Sequence, residues 1–203
     1  MLKMRSVLLA ILVIGVGYVG WRYFQLHSAA ARWEGPVEEI LSEKFDKQAN
    51  TVQMEYTSRI DAPVAEVLRA FSEPERMQEF TEVVRSAKLL QNEGNRKVVE
   101  LEAVILGQPQ QLTLAFTFLP AENRVLLKGG SSMADINGEY RFTPSPDGTK
   151  TLLTYTATSE DKVKMPVPVA VQKSAAREMF ASTVQAVKKG IAAQNQQGED
   201  RRS

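Results

Sequence analysis

The run VPVAVQKSAAREMFASTVQAVKKGIAAQ, residues 167–194, carries the spacing of one long amphipathic helix. Val171, Ala175, Met179 and Thr183 recur at i+4, Phe180, Val184, Val187 and Ile191 extend a neighbouring row, and Lys173, Arg177, Lys188 and Lys189 fall on other faces. Pro166 and Pro168 suit the entry to the helix, and Gly190 with the polar residues beyond Gln194 weakens its far end. A helix of this length gains little stability from its own hydrogen bonds, so its apolar stripe requires a broad surface to lie against. Only the segments upstream offer one.

In those segments the period is two. Val52, Met54, Tyr56, Ser58 and Ile60 alternate with polar neighbours, which predicts a half-buried strand. Asp61 is a candidate N-cap with Pro63 in the first turn of a helix through Val67, Leu68 and Phe71, and Ser72 and Pro74 open a second short helix. Six further strands are expected over 83–91, 96–106, 111–119, 124–128, 136–142 and 151–160, broken by turn residues such as Asn92 to Asn95 and Gly107 to Pro109. Connections this short join antiparallel strands, so the pattern predicts an α+β domain, a curved antiparallel sheet of about seven strands wrapped on the long C-terminal helix.

The chain has 203 residues, 43% hydrophobic and 24% charged, enough for one domain with a core plus an appendage. A formal net charge of +1 gives no basis for a nucleic-acid partner. The absence of cysteine excludes disulfides, thiolate nucleophiles and cysteine metal sites. His27, the single histidine, stands outside the domain, so no histidine triad, general base or metal site can be built inside it. No metal, cofactor or catalytic residue is assigned.

Before the domain, Lys3 and Arg5 precede an uncharged run that ends with Tyr18, Trp21 and Tyr23. Basic flank, apolar span and aromatic belt predict an N-terminal membrane anchor over residues 1–33, with Val7–Trp21 in the bilayer. A cleaved signal peptide ending near Ala29 or Ala31 is the rival reading. Anchored, the protein is single-pass, with the domain outside the cytoplasm as the favoured orientation. Residues 34–50 read as a linker helix, Glu34 to Gln48, with Val37, Ile40, Leu41 and Phe45 on one side; the domain follows at 51–194 and a polar tail at 195–203.

Ile60-Asp61-Ala62-Pro63 with Glu66-Val67 and Ala70-Phe71, then Pro74 and Glu75 ahead of Phe80, resembles the START-like superfamily, also called SRPBCC. That superfamily includes polyketide cyclase/dehydrase-type proteins, coenzyme Q-binding proteins and the birch-pollen-allergen fold. The resemblance covers about Thr51 to Ala193. It implies a helix-grip fold with a hydrophobic cavity between sheet and long helix. Superfamily members bind, carry or catalyse, and no subfamily catalytic motif maps onto this chain.

Met54, Leu101, Leu114, Phe116, Val171 and Met179 are candidates to line that cavity, and Tyr56, Tyr140 and Tyr155 to hydrogen-bond a ligand there. Apolar alternation is the same for a lined cavity and a filled core; the resemblance is what implies the cavity. The leading expectation is a membrane-anchored domain that binds or shuttles a lipid, isoprenoid or quinone-like molecule. An enzyme of the cyclase, hydratase or lyase type is the alternative, and needs an inward ionisable group such as Glu100, Glu102 or Lys128. Glu100 and Glu102, about 6.6 Å apart on one strand face, lie opposite the apolar row and are expected in water. A ligand-free interaction domain, using the Val37 to Phe45 helix for an unspecified protein partner, is a third reading. Lys162 to Val169 is a candidate lip at the cavity mouth.

Overall fold

The computed structural model describes residues 32–34, 40–105, 107–163 and 167–200, with side chains through residue 196. The chain divides into two units, Met1–Pro36 and Val37–Ser203. Of the first unit residues 32–34 are described, and they are helical. The expected span Val7–Trp21, the alanines of the signal-peptide reading and His27 lie outside the described residues. Among the described residues no helix is long and apolar enough to cross a membrane.

The second unit holds an antiparallel sheet in the order β1-β2-β8-β7-β6-β5-β4-β3. Its strands are β1 (Ser42–Gln48), β2 (Thr51–Ile60), β3 (Val84–Glu93), β4 (Arg96–Ile105), β5 (Gln108–Leu119), β6 (Arg124–Gly130), β7 (Ala134–Pro144) and β8 (Thr151–Asp161). Helix α1 (Val64–Phe71) and a 3-10 turn, Pro74–Glu79, connect β2 to β3; the long helix α2 spans Val169–Asp200. The expected strand, helix, strands, helix order is therefore present, with eight strands in place of seven.

The extra strand corrects the linker-helix expectation. Ser42–Gln48 pairs with β2 through Phe45↔Met54 and Lys47↔Val52, so the pattern that reads as helical is a period-two strand with Phe45 and Lys47 partly buried. An open sheet edge offers backbone partners along its whole length, and that outweighs helix spacing in so short a segment. The β1–β2 turn at Ala49–Asn50 puts Ala49 at φ 54, so no glycine marks it.

Other local signals resolve differently from expectation. Asp61 does not cap α1: its Oδ1 accepts from Arg59 Nε at 3.1 Å, and the amides of Glu66 and Val67 bond the carbonyl of Pro63. Ser72 ends α1, its hydroxyl donating to the carbonyl of Arg69 at 2.7 Å. Glycine at Gly129 and Gly130 extends β6 beyond the expected Lys128: φ is +153 and +156, and a Cβ on Gly129 would stand 2.0 Å from the carbonyl oxygen of Thr113. Gly190 does not end α2, which continues through much of the expected polar tail.

The core lies between one face of this sheet and the helices. Val99, Leu101, Ala103, Leu112, Leu114, Phe116, Val125, Leu127, Phe142 and Leu153 are buried on the sheet side. Val67 and Phe71 of α1 and Phe180, Val184, Val187 and Ile191 of α2 cover them. The expected inward rows of β4 and β5 are in place.

Candidate functional site

Three tyrosines occupy consecutive register positions across the inner face: Tyr56 pairs with Tyr155, and Tyr155 pairs with Tyr140. Their rings form a continuous layer. Tyr140 and Tyr155 stack with centroids 4.6 Å apart, and Phe180 of α2 stacks on Tyr56 at 5.4 Å and on Tyr155 at 6.3 Å. Phe71 of α1 closes the other end, 4.7 Å from Tyr140 and 5.4 Å from Phe142. Such offset aromatic contacts add to the burial of the rings themselves. Glycine makes room: a Cβ on Gly138 would lie 2.8 Å from the Cβ of Ala157 and 3.2 Å from the ring of Tyr155.

The hydroxyls differ from one another. Tyr140 is buried and its hydroxyl is hydrogen-bonded with Thr183. Tyr56 is fully buried and its hydroxyl finds no protein partner; the same holds for Ser58, two residues along the same face. Burial pushes the Tyr56 hydroxyl up to about 12, with the Glu43 carboxylate adding to the rise and Arg177 opposing it. Tyr140 and Tyr155 are also raised by burial, Tyr155 further by its two tyrosine neighbours. All three are therefore neutral hydroxyls at ordinary pH. Tyr155 keeps partial exposure although burial desolvates its hydroxyl.

The margin of the layer is partly exposed. Met54, Phe118, Ile136, Tyr155, Ala176 and Met179 pack against the core but keep partial exposure. On α2 the transition is abrupt: between Val169 and Met179 only Gln172 is buried, whereas Phe180, Thr183, Val184, Ala186, Val187, Gly190 and Ile191 are all buried. The first half of the helix is held by polar ties instead. Lys47 Nζ donates to Asp161 Oδ2 at 2.5 Å and to Gln172 Oε1 at 2.7 Å, and Gln172 Nε2 donates to the carbonyl of Val167 at 2.7 Å. Glu43 joins Lys173 at 2.9 Å and Arg177 at 3.1 Å. Both Glu43 and Lys47 come from β1.

The segment between β8 and α2 and the turn between β6 and β7 share one rim. Lys162 donates its amide to the carbonyl of Met133 at 2.8 Å and its ammonium to the carbonyl of Ser131 at 3.0 Å, and pairs with Asp135 at 2.7 Å. Val163 next to Lys162, and Val169 and Val171 at the start of α2, stand 47%, 50% and 43% exposed. Of the candidate lip, Lys164 to Pro166 lie outside the described residues.

The candidate residues therefore separate. Tyr56, Tyr140, Leu101, Leu114 and Phe116 are in the buried layer, and Met54, Tyr155 and Met179 at its half-buried margin. Val171 is a correction: a position on the i+4 row places it near the apolar stripe, but the helix start turns it into solvent. Glu100 and Glu102 alternate with buried Val99 and Leu101, and Lys128 is exposed, so these groups lie off the apolar layer, as expected for the glutamates. Among the described residues no group of His, Cys, Asp and Glu is placed to hold a metal. Sequence reading missed Ser58 and Phe180 as site residues; a small polar residue in an apolar row, and an aromatic in the helix stripe, were the available signals. Glu43 and Lys47 had none, because their segment reads as helix.

A separate small pocket of about 20 Å³ lies between α1, the 3-10 turn and the far half of α2, bordered by Phe71, Arg76, Met77, Phe80, Gly190 and Gln194. It has room for little more than one water-sized group.

Residues 51–194 match the family model described as polyketide cyclase / dehydrase and lipid transport. No curated protein matches the chain by sequence. Among solved structures, the Zhui aromatase/cyclase from Streptomyces sp. R1128 is similar with a TM-score of 0.62 at 14% identity, over 70% of this chain and 94% of that one. A START superfamily protein from Mycobacterium smegmatis is similar with a TM-score of 0.57 at 18% identity, over 70% and 97%. A STAR-related lipid transfer protein from Xanthomonas axonopodis gives 0.57 at 12% identity, over 74% and 98%. At these identities the likeness is one of fold: the helix grip.

Proposed function

Because the chain belongs to the polyketide cyclase/dehydrase and lipid transport family, we propose that it binds and shuttles an apolar small molecule between the inner sheet face and the first half of α2. The observation that carries this reading is the partly exposed margin of the aromatic layer: Tyr155, Met54, Ile136 and Met179 keep partial exposure beside fully buried neighbours. An apolar molecule seated there removes both its own surface and theirs from water. Entry requires only that the polar ties of the first turns of α2 loosen, while the buried second half stays in place. Lipid, isoprenoid and quinone-like skeletons fit an elongated apolar face of this kind.

In the same reading the N-terminal run Val7–Trp21 anchors the protein in a membrane with the domain outside the cytoplasm. Tethering would hold the site beside membrane-dissolved ligand at high effective concentration. Organic extraction and mass spectrometry of the purified full chain test the binding. Wild type is expected to retain an apolar compound that an Ala176→Phe variant, with a larger side chain at the half-buried margin, does not. No apolar compound in wild type, or equal amounts in both, would contradict the reading.

A further inference from the structure

Tyr56 Oη and Ser58 Oγ are the only buried side-chain hydroxyls among the described residues that lack a hydrogen-bond partner, and they share the inner face of β2. A buried hydroxyl left unpaired weakens a fold, so two of them in one apolar layer mark a place that favours an incoming polar atom. Burial selects its charge. Tyr56 and Ser58 are both 0% exposed within the apolar layer, where a charged group loses its water.

We propose, resting on the binding reading above, that the ligand carries a neutral oxygen, a hydroxyl or carbonyl, held by Tyr56 and Ser58, and that the carboxylate of the same skeleton is rejected. A neutral oxygen gains a donor and an acceptor at this point. A carboxylate gains the same two hydroxyls but loses its water in an apolar layer, a cost that two neutral hydrogen bonds do not offset.

Retinol and retinoic acid, one skeleton with two head groups, test this on the purified full chain at neutral pH, retinol by its fluorescence and the acid by competition. Retinol is expected to bind about ten-fold more tightly than the acid, the scale of one or two neutral hydrogen bonds. Tyr56→Phe is expected to weaken retinol binding several-fold, narrowing that ratio, and, because it deletes an unpaired buried hydroxyl, to raise the Tm of the unliganded protein. Ser58→Ala is expected to do the same to a smaller degree. A hydroxyl with only a structural role would lower Tm when removed and leave the retinol-to-acid ratio unchanged. Equal or tighter binding of retinoic acid overturns the inference while leaving ligand binding intact; binding of neither probe overturns the binding reading and this inference with it.

Discussion

The two halves of α2 are one continuous helix held in two ways. From Phe180 to Ile191 it is fixed by desolvated apolar contact, with Phe180 on the tyrosine layer and Val184 and Val187 in the core. From Val169 to Met179 it is fixed mainly by polar ties, through Lys47, Asp161, Gln172 and the Glu43 pairs. Apolar burial is lost only by opening the core, whereas a few hydrogen-bonded ion pairs can be exchanged for water at modest cost. The difference separates a half held by apolar burial from a half held by polar ties on the same helix; in the proposed binding reading the second is the cover that releases.

The largest expected effect comes from breaking the anchored half. Phe180→Ala removes the ring stacked on Tyr56 and Tyr155 and is expected to destabilise the domain by about 3–5 kcal/mol in urea unfolding. Next is the tied half. Lys47→Met leaves Asp161, 6% exposed, without its cation, and is expected to cost about 3 kcal/mol, the lower end of the range for breaking a buried pair because Lys47 still touches water. Hydrogen exchange should locate that loss in residues 169–179, with residues 180–191 little changed.

Gly190→Ala sharpens the contrast from the other side. Its Cβ would meet Ala70 and Phe80 at 3.6 Å, ordinary contact, so the substitution is expected to stabilise the anchored half by about 0.5–1 kcal/mol through helix propensity. Thermal unfolding should show a higher Tm with unchanged exchange in the first turns. The smallest effect is that of acid. The hydrogen bond from Lys173 holds the Glu43 carboxyl below the ordinary carboxylate range. Its contribution is thus fully present above the unfolded value of about 4.3 and is lost as pH falls through the lower folded value. Protection relative to the intrinsic exchange rate should therefore fall in residues 169–179 on acidification before it falls in 180–191, and Glu43→Gln should remove that early phase.

The anchored half was legible in sequence because it repeats: Phe180, Val184, Val187 and Ile191 keep a helix period, and Leu112 to Phe118 keep a strand period over a run long enough to be decisive. The tied half was not. It depends on β1, which reads as helix because Phe45 continues a helical spacing in the sequence from Val37, Ile40 and Leu41 before it, and whose turn at Ala49 carries no glycine, so the partner of Lys173 and Arg177 was out of view. Val171 failed for a related reason, since periodicity gives a face but not the point at which a helix leaves its sheet. The tyrosines were found singly by inward parity. Their alignment into one row needed the cross-strand register, which no single strand contains.

Hydrogen exchange of the full chain with and without saturating retinol tests most directly the claim that ligand is held under the releasable half of α2. Slower exchange is expected in residues 169–179 and in the parts of β2, β7 and β8 around Met54, Ile136 and Tyr155, with 180–191 unchanged. Protection confined to the small pocket near Arg76, Phe80 and Gly190, or none in 169–179 at saturation, would contradict it.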